Sequence, residues 1–578
     1  MFVQPERKHH SILTERASLN DKFILFSLIL LAIVFRLYNA LNFEVNWDEF
    51  YYLSFVHQFL SGENVSRFQT FHVHFFSWLA WVSENEVKQI IAARSVMLCL
   101  QVATGFFLFR ICRNYFTCSA SLFAVLAYFS FSFVIRMGAS FRADPIATFC
   151  LMASLDYVLR VEYSLRQSLV AAVLTAVAFL VTLKSVFYLP TLILITLLSI
   201  LSSSNKRRTV ARFVQYLIFS ALAFSILYLW HSNSIANATN NDIVAMIDGA
   251  DKTLNHKTFF PRLSYFIYTL GTDLGFWFTL SCGVFYYLTS ISNNNNIDKK
   301  IHELKLITLI IPLTSLLIYR NAFPYFYSFM LAPACVFCGI AWDKWSQRGN
   351  RKTYISIGRG ILLLFIANIL IQNIYQPYIR SLDYQYKLLE VVHKTFPQPV
   401  SYIDRCSMVS SYPQKGFFMS SWGMENYWLA EKPILELAIE NHEPIFLIIN
   451  SEYLEFIRKD NAIETEYSHL LGRDRLAIEN NYIPHWNEIY VAGKILVLTQ
   501  ENTSLTFKLN IPGNYTLESS SKVIINSKTV SPQETISLSK GEHTLQVSEE
   551  PGVYTLRWGE SLYRPVEFER NLRIFNGF

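Results

Sequence analysis

Apolar runs of about 20 residues recur through the first two-thirds of this 578-residue chain, and about 20 residues of helix cross the hydrocarbon core of a bilayer. So many long, nearly uncharged runs cannot all be buried in one soluble core, which makes the chain a polytopic α-helical membrane protein. About eleven spans are expected, near 23–41, 90–111, 119–135, 145–160, 167–183, 187–203, 212–230, 263–288, 304–319, 325–342 and 359–375. Charged residues make up only 16% of the chain, against about 25% in soluble domains. No basic stretch is long enough to suggest nucleic-acid binding. No small-residue cleavage site follows the first run, so it is read as a retained helix. The eight cysteines do not make a disulfide framework, because only Cys406 falls in the polar C-terminal part. Cys335 and Cys338 lie inside APACVFCGIAW and read as small packing residues.

Loop charge orients the spans. Arg7, Lys8, Arg16 and Lys22, the loop SSSNKRRTVAR and the loop DKWSQRGNRK all fall on one side, the cytoplasmic one. Residues 1–22 are then a cytoplasmic N-terminus and 23–375 the transmembrane module. Loops 42–89 and 231–262 and everything after about 376 lie outside. SNNNNIDKK at 292–300 reads as a flexible cytoplasmic loop. Within the outer region, 376–500 mixes amphipathic helical stretches with PIFLIIN and KILVLTQ and predicts an α/β domain. Residues 501–578 alternate polar and apolar residues between the turns IPGNY and SKGEH and predict a small antiparallel β-sandwich. The compartment we expect is a bacterial inner membrane with the C-terminal region in the periplasm. Asn64, Asn237, Asn502 and Asn514 form N-x-S/T sequons on that outer side, which an endoplasmic reticulum location would use.

Asp48 and Glu49, in NFEVNWDEFYYL just after the first span, are the first candidates for chemistry. Carboxylates this near a bilayer cost free energy unless solvated, paired or used, and a general base working at the interface belongs there. Residues 49–61 look like an amphipathic helix stopped by Gly62. Cations on the outer side oppose the usual bias. Arg136, Arg142 and Asp144 share the turn RMGASFRADP, Lys184 lies in TLKSVFYLP, and Arg320 in IYRNAFPYFYSF. Singly these could snorkel or lock turns; together they suggest a cavity for a phosphate or pyrophosphate. His72 and His74 in FHVHFF lack an evident third metal ligand, and His72 is read as a polar or phosphate contact or a packing residue. Trp422, Trp428, Trp486 and Trp558 are candidate sugar-stacking residues, with core packing the better reading.

NWDEFYYLSFVHQFLSG, FHVHFFSWL, AARSVMLC, FRADPIATFCLMASL and YRNAFPYFYSFMLAPA, in this order over residues 20–345, resemble the GT-C class of membrane glycosyltransferases. The branch they are most similar to is the PMT-like family of protein O-mannosyltransferases and aminoarabinose lipid A transferases. The resemblance implies a GT-C fold with loop 42–89 as the catalytic first outer loop. It implies transfer of one sugar from a polyprenyl-phosphate carrier to a hydroxyl of a glycan, lipid or protein. Asp48 matches the family's first-loop acid, with Glu49 beside it, and Asp144 matches the second-loop acid. His72 stands where relatives carry a Lys or His followed by two prolines, both absent here. Tyr325 and Tyr327 sit in the matching late turn.

On this reading Asp48 is the base, Glu49 and Asp144 orient the acceptor or tune Asp48, and transfer inverts the anomeric centre. Arg142, Lys184 and Arg320 would take the departing phosphate. No cofactor is required, and a divalent metal, compatible with Asp48 and Glu49, is not predicted. The alternatives are a lipid or sugar transporter or flippase, a polysaccharide polymerase or ligase on the same fold, and a binding protein anchored by its helices. The sequence shows neither the internal repeats nor the broken helices typical of transporters.

Overall fold

The computed structural model describes residues 12–63, 65–160, 164–235, 259–292, 303–347, 351–458, 469–500, 503–547, 552–566 and 573–577. Arg7, Lys8, most of loop 231–262, most of 292–300 and the sequons at Asn64, Asn237 and Asn502 lie outside the described residues.

The helices up to residue 395 that bear on the site are α1 (Ile12–Asn42), α2 (Trp47–Ser61), α3 (Val73–Phe76), α4 (Glu86–Arg113), α5 (Cys118–Ser130), α6 (Ser132–Met137), α7 (Ala143–Val158), α8 (Leu165–Val181), α9 (Leu189–Leu201), α10 (Lys206–Ser234), α11 (Leu263–Thr272), α12 (Leu274–Ser292), α13 (Pro324–Ala334), α14 (Val336–Gln347), α15 (Arg351–Leu370) and α16 (Asp383–Thr395); shorter helices, among them Ser421–Ala430, Ile434–His442 and Gly472–Asn481, follow. Among the described residues, six helices are long and apolar enough to cross a membrane. A seventh is counted if the pair 324–346, bent by 49°, is one span. The other expected runs fall on shorter or interrupted helices.

The interruptions have identifiable causes. α5 and α6 part at Phe131, in extended conformation, and the freed backbone groups find partners far away in sequence. Arg36 donates to the carbonyls of Phe129 (2.7 Å) and Val134 (3.1 Å). Asn368 donates to Ser130 O at 2.8 Å. Asp273, at the second break between α11 and α12, accepts from Ser132 N (2.7 Å) and Ser132 Oγ (2.5 Å). A broken helix survives at this depth only where other protein groups re-satisfy its backbone. Broken helices therefore do occur here, contrary to the sequence reading. Close packing is carried by small residues: a Cβ on Gly283 of α12 would sit 1.9 Å from the Phe337 carbonyl oxygen of α14.

The C-terminal region contains strands β1 (Tyr402–Ile403), β2 (Phe446–Ile448), β3 (Tyr482–Trp486), β4 (Ile489–Leu498), β5 (Ser504–Leu509), β6 (Gly513–Glu518), β7 (Val523–Ile525), β8 (Lys528–Val530), β9 (Thr535–Leu538), β10 (Gly541–Val547) and β11 (Gly552–Trp558). One sheet runs β1-β2-β4-β11-β6-β9, with β3 also on β4; the other runs β5-β10-β7-β8. Among the described strand pairs, β1 with β2 is parallel and the others are antiparallel. The two sheets close over a core that includes Phe507, Leu517, Val523, Ile525, Leu545 and Leu556. The β7–β8 turn is Asn526-Ser527, with φ of 49° and 70°, the backbone a two-residue hairpin of native twist requires. β4 lies before residue 500 and pairs with β11 after it, so one sheet joins the two stretches that the sequence reading separates there.

This C-terminal region sits on the segment that follows α1. Gln385 of α16 exchanges hydrogen bonds with both backbone groups of Val45 (2.7 and 2.8 Å). The fully buried Glu86, at the start of α4, accepts from Ser411 Oγ at 2.6 Å and meets His393 Nε2 at 2.9 Å. Burial opposes charge on His393, but Glu86, with Glu84 nearby, outweighs it and raises the imidazole above its usual 6.5. A raised folded value gives stability that is complete below 6.5 and is lost as pH rises through that value. Melting curves from pH 6 to 9 are expected to show weakening attachment of the outer region as pH rises. His393→Gln should flatten that slope, and an unchanged slope would remove the latch.

Candidate active site

The chain leaves α1 and turns back at Asn46, which caps α2: its side chain accepts from Asp48 N at 3.0 Å. Glu49 Oε1 accepts from Asn46 N at 3.1 Å, completing a capping box. Two carboxylates in the first turn also suit the positive end of the helix dipole. The helix ends at Gly62 in the left-handed region, φ 72°, where a glycine stop is expected.

Adjacent in sequence, Asp48 and Glu49 have different surroundings. Glu49 is 1% exposed and gripped by Arg94, at 2.5 and 2.8 Å, and by Phe141 N at 2.8 Å. Burial alone would raise its carboxyl; Arg94 and the hydrogen bonds outweigh that and hold it below the usual range. Asp48 keeps a partly exposed side chain and pairs with Arg142. Arg142 Nε in turn faces Asp144 Oδ2 at 3.5 Å, too far for a hydrogen bond. Lys184 Nζ donates to Asp144 Oδ1 at 2.6 Å. Tyr325 lies beneath both cations, its ring centre 3.5 Å from the Arg142 guanidinium carbon and 4.6 Å from Lys184 Nζ. Four elements thus build one line of alternating charge, Asp48–Arg142–Asp144–Lys184, over an aromatic floor. Two buried atoms within it, Arg142 Nε and Asp144 Oδ2, have no hydrogen-bond partner among the described residues.

Other candidates lie elsewhere. His72 is buried, with Nε2 3.2 Å from Tyr52 O, and burial lowers it to about 4. It is a neutral imidazole, not a cation, near neutral pH. His74 pairs with His231 of α10 at 2.8 Å. Arg320 pairs with Glu425 and covers Trp422, outside the charged line. Tyr327 is fully buried against Phe131 and Phe133, behind it. Trp486 and Trp558 are packed into the outer region, and Trp428 is half-buried. Among the described residues no three His, Cys, Asp or Glu gather as metal ligands. Arg94 was not singled out by the sequence, although a cation at the outer end of a span is the same signal that marks Arg142. N-x-x-E at 46–49 was the available sign that Glu49 belongs to the helix cap.

No family model matches this sequence, and no curated relative does. The chain has the fold of the GT-C class of membrane glycosyltransferases, with a strand-rich C-terminal region. The structure of the Archaeoglobus fulgidus oligosaccharyltransferase tethered with an acceptor peptide carrying an NVT sequon superposes with a TM-score of 0.51 at 10% identity, over 95% of this chain and 98% of that one. The archaeal oligosaccharyltransferase AglB of that organism, in complex with an inhibitory peptide and a dolichol-phosphate, gives 0.49 at 11% identity over 95% and 98%. ArnT from Cupriavidus metallidurans bound to undecaprenyl phosphate gives 0.49 at 11% identity over 77% and 96%.

Proposed function

We propose that this chain is an integral membrane glycosyltransferase that moves a single sugar from a polyprenyl phosphate to an acceptor hydroxyl on the outer side, with inversion. The observation that carries the reading is the line Asp48–Arg142–Asp144–Lys184, held on a GT-C fold. The acceptor oxygen attacks C1 of the sugar, the bond from C1 to the phosphate oxygen breaks, and the acceptor proton passes to Asp48. A phosphate is already a good leaving group, so no general acid is needed. Arg142 and Lys184 bear the charge that develops on it. Arg142 is shared: it pairs with Asp48 and turns to the phosphate when the donor binds, which uncovers the base. A protein or glycan acceptor and a bacterial inner membrane fit this reading equally well as a lipid acceptor does. A transporter would also hold buried charge and broken helices, but it has no need of a partly exposed carboxylate at a helix start beside two cations.

The test is native mass spectrometry and titration of the purified protein with undecaprenyl phosphate and its sugar-charged forms. Binding is expected, and Arg142→Ala and Lys184→Ala are each expected to weaken it about 10- to 100-fold, since a hydrogen bond to a charged group contributes about 1.5–3 kcal/mol. Unchanged affinity in both variants removes the phosphate site.

A further inference from the structure

Segment Arg573–Gly577 lies against the turn that starts α2. Ile574 and Phe575 are buried there, 4% and 9% exposed. The Phe575 ring meets Trp47 and Phe50 edge-on, with centres 5.9 and 6.1 Å apart. Gln385 joins segment and turn through one amide: Nε2 donates to Ile574 O and to Val45 O, both at 2.8 Å. Arg380 donates to Gly577 O at 2.5 Å and pairs with Glu44. Glu44 Oε2 also accepts from Asn576 Nδ2 at 2.5 Å. Trp47, the residue before Asp48, lies between Phe575 and Arg405, whose guanidinium carbon is 4.1 Å from its ring centre.

First turns of helices fray, and a base must hold hydrogen-bond reach of the proton it takes. A displacement of 1 Å costs about 10²-fold in rate. Asp48 sits in such a first turn, and segment 573–577 holds residues on either side of its start, Glu44, Trp47 and Phe50 directly and Val45 through Gln385. We infer that Ile574, Phe575 and Asn576 are positioning residues for the transfer, forming a strap that fixes the Glu44–Trp47 turn and so sets Asp48 against the acceptor. This rests on Asp48 being the base. Among the described residues the strap's bonds and ring contacts go to the Glu44–Phe50 turn, Gln385 and Arg380, so it acts on the rate and not on donor binding.

The experiment compares Phe575→Ala, Phe575→Leu and Asn576→Ala in the 578-residue chain. Three quantities are read: kcat for transfer, affinity for undecaprenyl phosphate, and hydroxyl-radical oxidation of Trp47 by mass spectrometry. Phe575→Ala and Asn576→Ala are expected to lower kcat by about tenfold and to raise Trp47 oxidation, with phosphate-lipid affinity unchanged. Phe575→Leu restores most of kcat. Unchanged kcat and unchanged Trp47 oxidation overturn the strap, as does a loss of lipid affinity in step with kcat. Full activity in Asp48→Asn sinks the base reading instead, so the two failures are told apart.

Discussion

Asp48→Asn is expected to lower sugar transfer by about 10²- to 10⁴-fold, the usual contribution of a positioned base, and to leave the chain folded. The side chain is nearly isosteric, and its amide oxygen still accepts from Arg142. Asp48 makes no contact with Arg94, which holds the turn together through Glu49 and backbone carbonyls. Asp48 is partly exposed, but the neutral amide leaves buried Arg142 with Asp144 as its remaining carboxylate neighbour, so the change removes the base and also weakens one ion pair, which the melting curve reads. Transfer from a polyprenyl-phosphate sugar would be followed in single turnover, beside a melting curve. Activity within threefold of the parent, with an unchanged curve, takes the role of base away from Asp48. A loss of activity that tracks a loss of folding would also fail to support it.

Much of this molecule is written locally, and that part was legible. The apolar run at 23–41 lies inside α1, and the one at 90–111 lies inside α4. The alternation in SLTFKL and GNYTLE gives β5 and β6, because side chains on a half-buried strand must alternate. The break at Phe131 was not legible, since it contains neither Pro nor Gly. Arg36, Asp273 and Asn368, some 93 to 238 residues away, supply its hydrogen bonds. The sheet that crosses residue 500 is invisible for the same reason: β4 finds its neighbour β11 over a gap no local pattern encodes. In the site, sidedness alone placed Asp48, Arg142, Asp144 and Lys184 on one face. Which carboxylate meets which cation depends on backbone turns that the charge pattern does not specify. Glu49 shows the limit of adjacency as an argument: one step along a helix is a turn of about 100°, which aims it at Arg94 while Asp48 points to Arg142.

Glu49→Ala and Arg94→Ala are each expected to cost about 3–5 kcal/mol, the penalty for stripping one partner from a buried ion pair. That is a large share of the roughly 5–15 kcal/mol that holds a folded chain together. Arg94 donates to Glu49 twice, to Phe43 O and Glu44 O at 2.8 Å each, and to Ala40 O at 3.2 Å. Glu49 adds the amides of Asn46 and Phe141. The pair thus fastens the end of α1, the start of α2 and the turn before Arg142 at one point. Removing either partner leaves the other buried and charged; removing both leaves no bare charge, so the double variant should lose less than the sum of the two. The pH dependence has a definite sign. The Glu49 carboxyl is lowered in the folded state, so its stabilisation is complete above the ordinary 4.5 and is lost only as pH falls through the lower folded value. Melting in detergent at pH 7 reads the cost of each substitution, and a series stepped downward from pH 5 reads the loss of the carboxylate's contribution. Losses below about 1 kcal/mol in both single variants, the level of an exposed pair, would show that the turn is held by something other than this pair.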